Sequence, residues 1–167
     1  SNRGASVNER GHVENAVLLS VGLATMIEGG LVVPTLATLA MIGIPVTLGA
    51  LFPDVDTSFG THRKTFHNIP TLLVFVAFPI YLDNLHFVWI GVATHYVLDL
   101  LGNIRGMALF YPWPVEYDIP VGVAVDSYWA DLVTVLVTVV ELIIIYVVIQ
   151  YDLHGRMLDL LPVLPLS

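Results

Sequence analysis

Cysteine is absent from this chain. That excludes disulfides and thiolate ligands, so any metal must be held by nitrogen and oxygen. Charge is also scarce: only 12% of residues are Asp, Glu, Lys or Arg, and one lysine stands against five arginines. The formal net charge is −8. Such a balance offers no basic surface to a phosphate backbone, and nucleic acid is not an expected partner. The same acidic, lysine-poor composition fits a protein of a high-salt archaeon.

Hydrocarbon is what the chain has in excess. Hydrophobic residues make up 56% of it, and the mean hydropathy is +0.82. Apolar stretches cover residues 16–27, 31–52, 69–82, 85–101 and 129–149. A straight membrane span takes ~20 apolar residues. The second and fifth stretches meet this length, and the first does so if its helix starts near His12. The third carries Pro70 and Pro79 and is expected to be tilted, kinked or re-entrant. Gly29-Gly30 and Asp83-Asn84 break the run into hairpins. Helices are therefore expected over residues ~12–28, ~31–51, ~69–82, ~85–101 and ~129–150. Residues 102–128, rich in Gly, Pro and aromatics, read as a structured interfacial loop. The expected fold is all-α: one domain over 1–167, a multi-pass transmembrane bundle of about five helices. The polar segment 1–12 lacks a small-residue cleavage site and is expected to stay in the mature protein.

Two successive hairpins place the N-terminus, the loop after the second helix and the end of the fourth helix on one face. Arg3, Arg10, Arg63, Lys64 and Arg105 fall on that face, and the opposite turns carry no positive charge. The positive-inside rule makes it cytoplasmic. Trp113, Tyr117, Tyr128 and Trp129 read as an aromatic belt at the interface.

Three clusters of Asp and His meet on this same face: Asp54 with Asp56, His62 with His67, and His95 with Asp99. Ionisable side chains next to hydrocarbon are costly and imply partners or function. His95 and Asp99 are four apart in a helical stretch, so both point to one side, one turn apart. That spacing lets them share one metal. The alternative is an interhelix hydrogen bond from His95 and a helix-ending Asp99. Asp54 and Asp56 follow Pro53. They could bind metal, or one could bind while the other orients a histidine; a solvated turn is the plainer reading of a Pro-Asp pair. His62 and His67 bracket Arg63-Lys64-Thr65-Phe66, whose basic pair could hold an anionic phosphate group or simply mark topology. Thr65 is a candidate helix cap.

Further candidates are weaker. His12 opens the first helix on the clustered face and is a possible additional ligand. Asp126 and Asp131 flank the start of the last helix and could complete a second metal position. Glu141 lies mid-span, either as a functional acid or, the favoured reading, as part of a polar packing stripe with Thr134 and Thr138. His86 and His154 are assigned no role.

The order Leu-Phe-Pro-Asp-Val-Asp (51–56), His-Arg-Lys-Thr-Phe-His-Asn (62–68), Thr-His-Tyr-Val-Leu-Asp-Leu-Leu (94–101) and Leu-Phe-Tyr-Pro-Trp (109–113) resembles the YdjM-like, LexA-regulated membrane-bound metal-dependent hydrolases. That family shows a Pro-Asp-x-Asp turn, a His-Arg-Gly-x-Thr-His-Ser segment, a Ser-His-x-x-x-Asp helix and a following Trp/Tyr-Pro pair. The likeness spans about residues 12–113. Lys64, Asn68 and Thr94 replace the usual Gly, Ser and Ser, and the threonine of the second segment is displaced by one. A more distant likeness is to zinc-dependent phospholipase C and related nucleases, which implies phosphoester chemistry around an Asp, a His and a His-x-x-x-Asp pair.

Together the residues and the resemblance imply a membrane-bound metal-dependent hydrolase using a metal-activated water. The expected cofactor is one or two divalent ions, zinc first, manganese or iron otherwise. Asp54, Asp56, His67, His95 and Asp99 are the expected ligands, with His12 a further one. His62 is expected to be a general acid or an extra ligand, and Arg63 to steady a phosphate. A phosphoester substrate is expected, from a membrane lipid before a soluble small molecule. The alternative is a non-catalytic membrane protein that binds a metal to brace its fold or to carry ions.

Overall fold

Local chemistry decides where the helices begin and end. The structure, a computed structural model, describes residues 9–29, 33–56, 64–102, 106–117 and 128–151. Five helices follow in order: α1 (Glu9–Ile27), α2 (Leu36–Leu51), α3 (Ile69–Leu82), α4 (Val88–Gly102) and α5 (Tyr128–Gln150), with a short 3-10 turn at Pro53–Val55 between α2 and α3. Among the described residues the only β-type pairing is an isolated antiparallel bridge between Met107 and Tyr117. The fold is all-α.

Two helices start later than the hydrophobic runs predict. The run at 31–52 begins before α2, but Thr35 is extended (φ −65°, ψ 153°) and its side chain accepts a hydrogen bond from the Thr38 N–H. A threonine in this position satisfies an otherwise orphaned amide and fixes the helix start. The Glu28 carboxylate accepts from both the N–H and the hydroxyl of Thr35, tying the end of α1 to that cap. α4 starts at Val88 rather than near 85. Asp83 and Leu85 both have positive φ (49° and 52°), a conformation that no helix interior takes. The cap of α3 is Asn68, not Thr65: the Asn68 side chain accepts from the Thr71 N–H at 2.9 Å, and Pro70 occupies the first turn, where no N–H is needed.

α1 packs against α2, α4 and α5; α4 in turn packs against α2, α3 and α5. One apolar cluster joins Ala16, Leu19, Leu23 and Ala24 of α1 to Ile42, Val46 and Ala50 of α2. The closest approach is between α2 and α4. A Cβ on Gly49 would overlap the Val88 carbonyl, and one on Gly91 would overlap the Val46 carbonyl. Both positions therefore need glycine, because the two backbones are in direct contact.

Two segments, Leu36–Val55 and Asp131–Gln150, are long and apolar enough to cross a membrane. α3 and α4 are apolar but shorter. Only 28% and 17% of the two long apolar windows are buried within the protein, and α5 in particular presents a mostly exposed apolar surface. The loop after α4 is fastened by its described part: the Leu109 carbonyl accepts from the Ile69 N–H at 2.8 Å.

The α2–α4 contact generates a first prediction. Gly91→Ala should push α2 away from α4 and destabilise the protein by ~1–3 kcal/mol. A thermal denaturation series should show the loss. An unchanged midpoint would mean that the helices are not in backbone contact.

Candidate metal centre

His95 lies one turn after Gly91, and Ala50 follows Gly49. The close crossing of α2 and α4 thus brings the Ala50 carbonyl to 2.6 Å from His95 Nδ1. A carbonyl can only accept, so Nδ1 carries the hydrogen and Nε2 is left to face inward. His67 is fixed in the same manner. Its Nδ1 donates to Asp56 Oδ2 at 2.9 Å, and Asp56 Oδ2 also lies 3.3 Å from the Phe66 N–H. The loop around His67 is held from α4 by Tyr96, whose hydroxyl donates to the Phe66 carbonyl at 2.5 Å and accepts from the Asn68 N–H at 3.2 Å. Asn68 adds hydrogen bonds to the carbonyls of Lys64 and Thr65, both at 2.8 Å.

The two inward nitrogens, His67 Nε2 and His95 Nε2, lie 3.0 Å apart. Two carboxylate oxygens join them. Asp99 Oδ2 is 3.4 Å from His67 Nε2 and 3.6 Å from His95 Nε2. Asp54 Oδ1 is 3.6 Å and 3.7 Å from the same two atoms. Zinc–nitrogen and zinc–oxygen bonds of ~2.0–2.2 Å in a tetrahedron put neighbouring donors ~3.3–3.6 Å apart. The carboxylate–imidazole separations of 3.4–3.7 Å match this spacing to within 0.1 Å, and the two histidine nitrogens lie closer than it, at 3.0 Å. Charge agrees, since two imidazoles and two carboxylates gathered in one place favour positive charge among them.

His67 shows the same demand. Burial alone would lower its pKa, but hydrogen bonds to Asp54, Asp56 and Asp99 outweigh it and raise the ring from 6.5 to about 10. In the metal-free protein a proton therefore takes the place that a divalent ion can take.

A second group forms alongside. His12 Nε2 is 3.4 Å from Asp99 Oδ1, the other oxygen of that carboxylate. The His12 ring stacks on His95, with centroids 3.8 Å apart and planes 14° apart. His12 Nδ1 is buried without a hydrogen-bond partner. Two overlapping clusters could thus hold a divalent ion: Asp54 with His67 and His95, and His12 with His95 and Asp99. His12, His67, His95 and Asp99 are buried, whereas the Asp54 side chain is 32% exposed and marks the open side.

The structure thus brings together Asp54, His67, His95, Asp99 and His12, drawn from α1, the 3-10 turn, the loop before α3, and α4. Asp56 stands behind His67 as its hydrogen-bond partner rather than with the inward-facing atoms. Lys64 pairs with Glu116 at 2.8 Å and Arg10 with Glu14 at 2.6 Å. His86 sits beside Asp83 at the far turn, 3.4 Å away. Asp131 is exposed at the start of α5. Trp113 and Tyr117 are exposed in the loop after α4. His62, Arg63, Arg105, Asp126 and His154 lie outside the described residues. Two contributors carry no reliable mark in the sequence. The Ala50 carbonyl is backbone, and Tyr96 reads as one more apolar helix residue, its only signal being its place next to His95.

No family model, curated protein or solved structure matches the chain.

Divalent metal should bind tightly, and His95→Ala or Asp99→Ala should abolish binding with the helices intact. Asp56→Asn should weaken it by ~10–100-fold through His67. Elemental analysis and competition titration with a chromophoric chelator read both effects, and full occupancy in the His95 and Asp99 variants would refute the site. Loading at neutral pH should also release protons, because the ion displaces the one held at His67. Acidification of a weakly buffered sample on adding metal checks the sign.

Proposed function

We propose that this chain is a membrane-bound, metal-dependent hydrolase, related to the YdjM-like hydrolases it resembles and more distantly to zinc-dependent phospholipase C. The observation that carries the reading is the convergence of His67, His95, Asp54 and Asp99 at one end of an apolar bundle, open on the Asp54 side. His67, His95, Asp99 and Asp54 would hold the ion, zinc before manganese or iron, and His12 with Asp99 would serve a second. A divalent ion in such a site supplies Lewis acidity and lowers the pKa of water.

The chain's own residues do the rest. Asp56 keeps the Nδ1 hydrogen of His67 in place, and the Ala50 carbonyl does the same for His95, so that both rings keep a fixed orientation. Asp54, partly exposed, borders the approach for substrate and water. Arg63 binds an anionic group, and His62 delivers a proton to the leaving oxygen. α2 and α5 cross the membrane with the shorter apolar helices packed beside them, as a multi-pass bundle with the site at the cytoplasmic face. A site at the headgroup level favours a lipid-derived phosphoester over a soluble one.

The competing reading is a structural ion. Four protein donors can close a tetrahedron and leave no position for water. The exposure of Asp54 favours the catalytic reading, because that carboxylate borders solvent and can yield its place.

The test is turnover by the protein in lipid or detergent. Phospholipids, phosphodiesters and phosphomonoesters should be screened with metal and with chelator. Metal-dependent hydrolysis of at least one is expected, and Arg63→Ala should lower turnover while leaving metal content intact. Full metal occupancy without turnover on any of them would favour the structural ion or another scissile bond.

A further inference from the structure

Glu141 sits in the middle of α5, away from the metal cluster, and both of its carboxyl oxygens are engaged. Oε1 is 2.5 Å from Thr94 Oγ1, and Oε2 is 3.0 Å from Asn15 Nδ2. Thr94 Oγ1 is also 2.6 Å from Asn15 Oδ1. Asn15 Nδ2 further donates to Thr138 Oγ1 at 2.8 Å, and the Thr138 hydroxyl donates to the Thr134 carbonyl at 2.8 Å.

The hydrogens in this ring do not suffice for an ionised glutamate. The Thr94 hydroxyl has one hydrogen and two close oxygen neighbours, Asn15 Oδ1 and Glu141 Oε1. The amide oxygen cannot donate. If Glu141 were ionised, one of these short O···O contacts would hold no hydrogen. Turning the Asn15 amide over moves the problem without removing it, since two acceptor oxygens would then meet at Glu141 Oε2. With a proton on Glu141 every short contact is a hydrogen bond. The carboxyl donates to Thr94, Thr94 donates to Asn15, and the two Asn15 N–H groups serve Glu141 and Thr138.

The surroundings agree. Glu141 lines an apolar groove of about 580 Å³ together with Leu23, Ile90, Ile144 and Ile145. None of its hydrogen-bond partners is charged. A carboxylate there would be poorly solvated, whereas a neutral acid with satisfied hydrogen bonds is tolerated.

We propose that Glu141 is a neutral carboxylic acid whose proton closes a hydrogen-bonded ring across α1, α4 and α5, and that this ring positions His12 and His95. Asn15 lies one helical turn from His12, and Thr94 is the immediate neighbour of His95. α5 supplies no residue to the described metal cluster, yet through Glu141 it sets the spacing of two helices that do. Glu141 is thus a positioning residue. This role rests on the metal reading; the protonation of Glu141 does not.

Two measurements on the full chain in lipid or detergent test the proposal. Infrared spectroscopy at neutral pH should show a carboxylic-acid C=O band that Glu141→Gln removes. An unchanged spectrum in that region would overturn the neutral acid. Zinc affinity, read by chelator competition, should be kept by Glu141→Gln, whose amide donates to Thr94 and accepts from Asn15. Glu141→Ala should lower it ~10-fold, as loss of an outer support does at metal sites. Equal loss in the Gln and Ala variants would overturn the ring. If Glu141→Ala does not fold, Thr94→Val and Thr94→Ser decide: affinity should fall in the first and return in the second, and wild-type affinity in Thr94→Val contradicts the role. A wild-type protein that binds no zinc would overturn the positioning claim with the metal reading, while the infrared band would still decide the proton.

Discussion

Two histidine nitrogens that face each other across 3.0 Å are the constraint on which this structure turns. Each ring has its outer nitrogen committed, one to a buried carboxylate and one to a backbone carbonyl. Their lone pairs then point at a shared space, together with oxygens of Asp54 and Asp99. Such a group is unfavourable without positive charge at its centre, and burial makes it more so. A proton satisfies it in part, through His67. A divalent ion could satisfy it more fully, with both imidazoles and both carboxylates close at hand.

The rest of the bundle can be understood as the means of holding these groups at one place. Gly49 and Gly91 let α2 and α4 meet backbone to backbone, and this contact is what lets Ala50 orient His95. Tyr96, one residue further along α4, holds the loop that carries His67. Each of these supports is short-range, so a small displacement of α4 would affect both histidines. The ring of Asn15, Thr94, Glu141 and Thr138 steadies the same helix from its other side. Apolar packing of α1 on α2 provides the frame, but the polar contacts fix its register.

Much of this was legible in the sequence, in a pattern that follows the range of the interactions. The four-residue spacing of His95 and Asp99 put them on one helix face, and two apolar hairpins implied that the acidic and histidine clusters share one end. Helix starts were less well read, because the hydrophobic run at 31–52 continues through the Thr35 cap and that at 85–101 includes Leu85, whose φ is positive. Pro34-Thr35 before α2 and the Asp83-Asn84 turn before α4 held the needed signals. That one of Asp54 and Asp56 could bind while the other orients a histidine was one of the readings the sequence offered, but which residue does which was not legible, since it depends on the 3-10 turn that places them. Nor was the partner of Glu141. The stripe with Thr134 and Thr138 could be read from spacing alone, but Asn15 stands 126 residues away in the chain and meets Glu141 only through packing.

X-ray absorption spectroscopy at the zinc edge, on the purified protein in lipid, tests the central claim most directly. One tightly held ion with imidazole and carboxylate donors at ~2.0–2.2 Å is expected, with the imidazole scattering lost in a His67→Ala, His95→Ala double variant. A protein that retains no ion, or one whose spectrum is unchanged in the double variant, would contradict it.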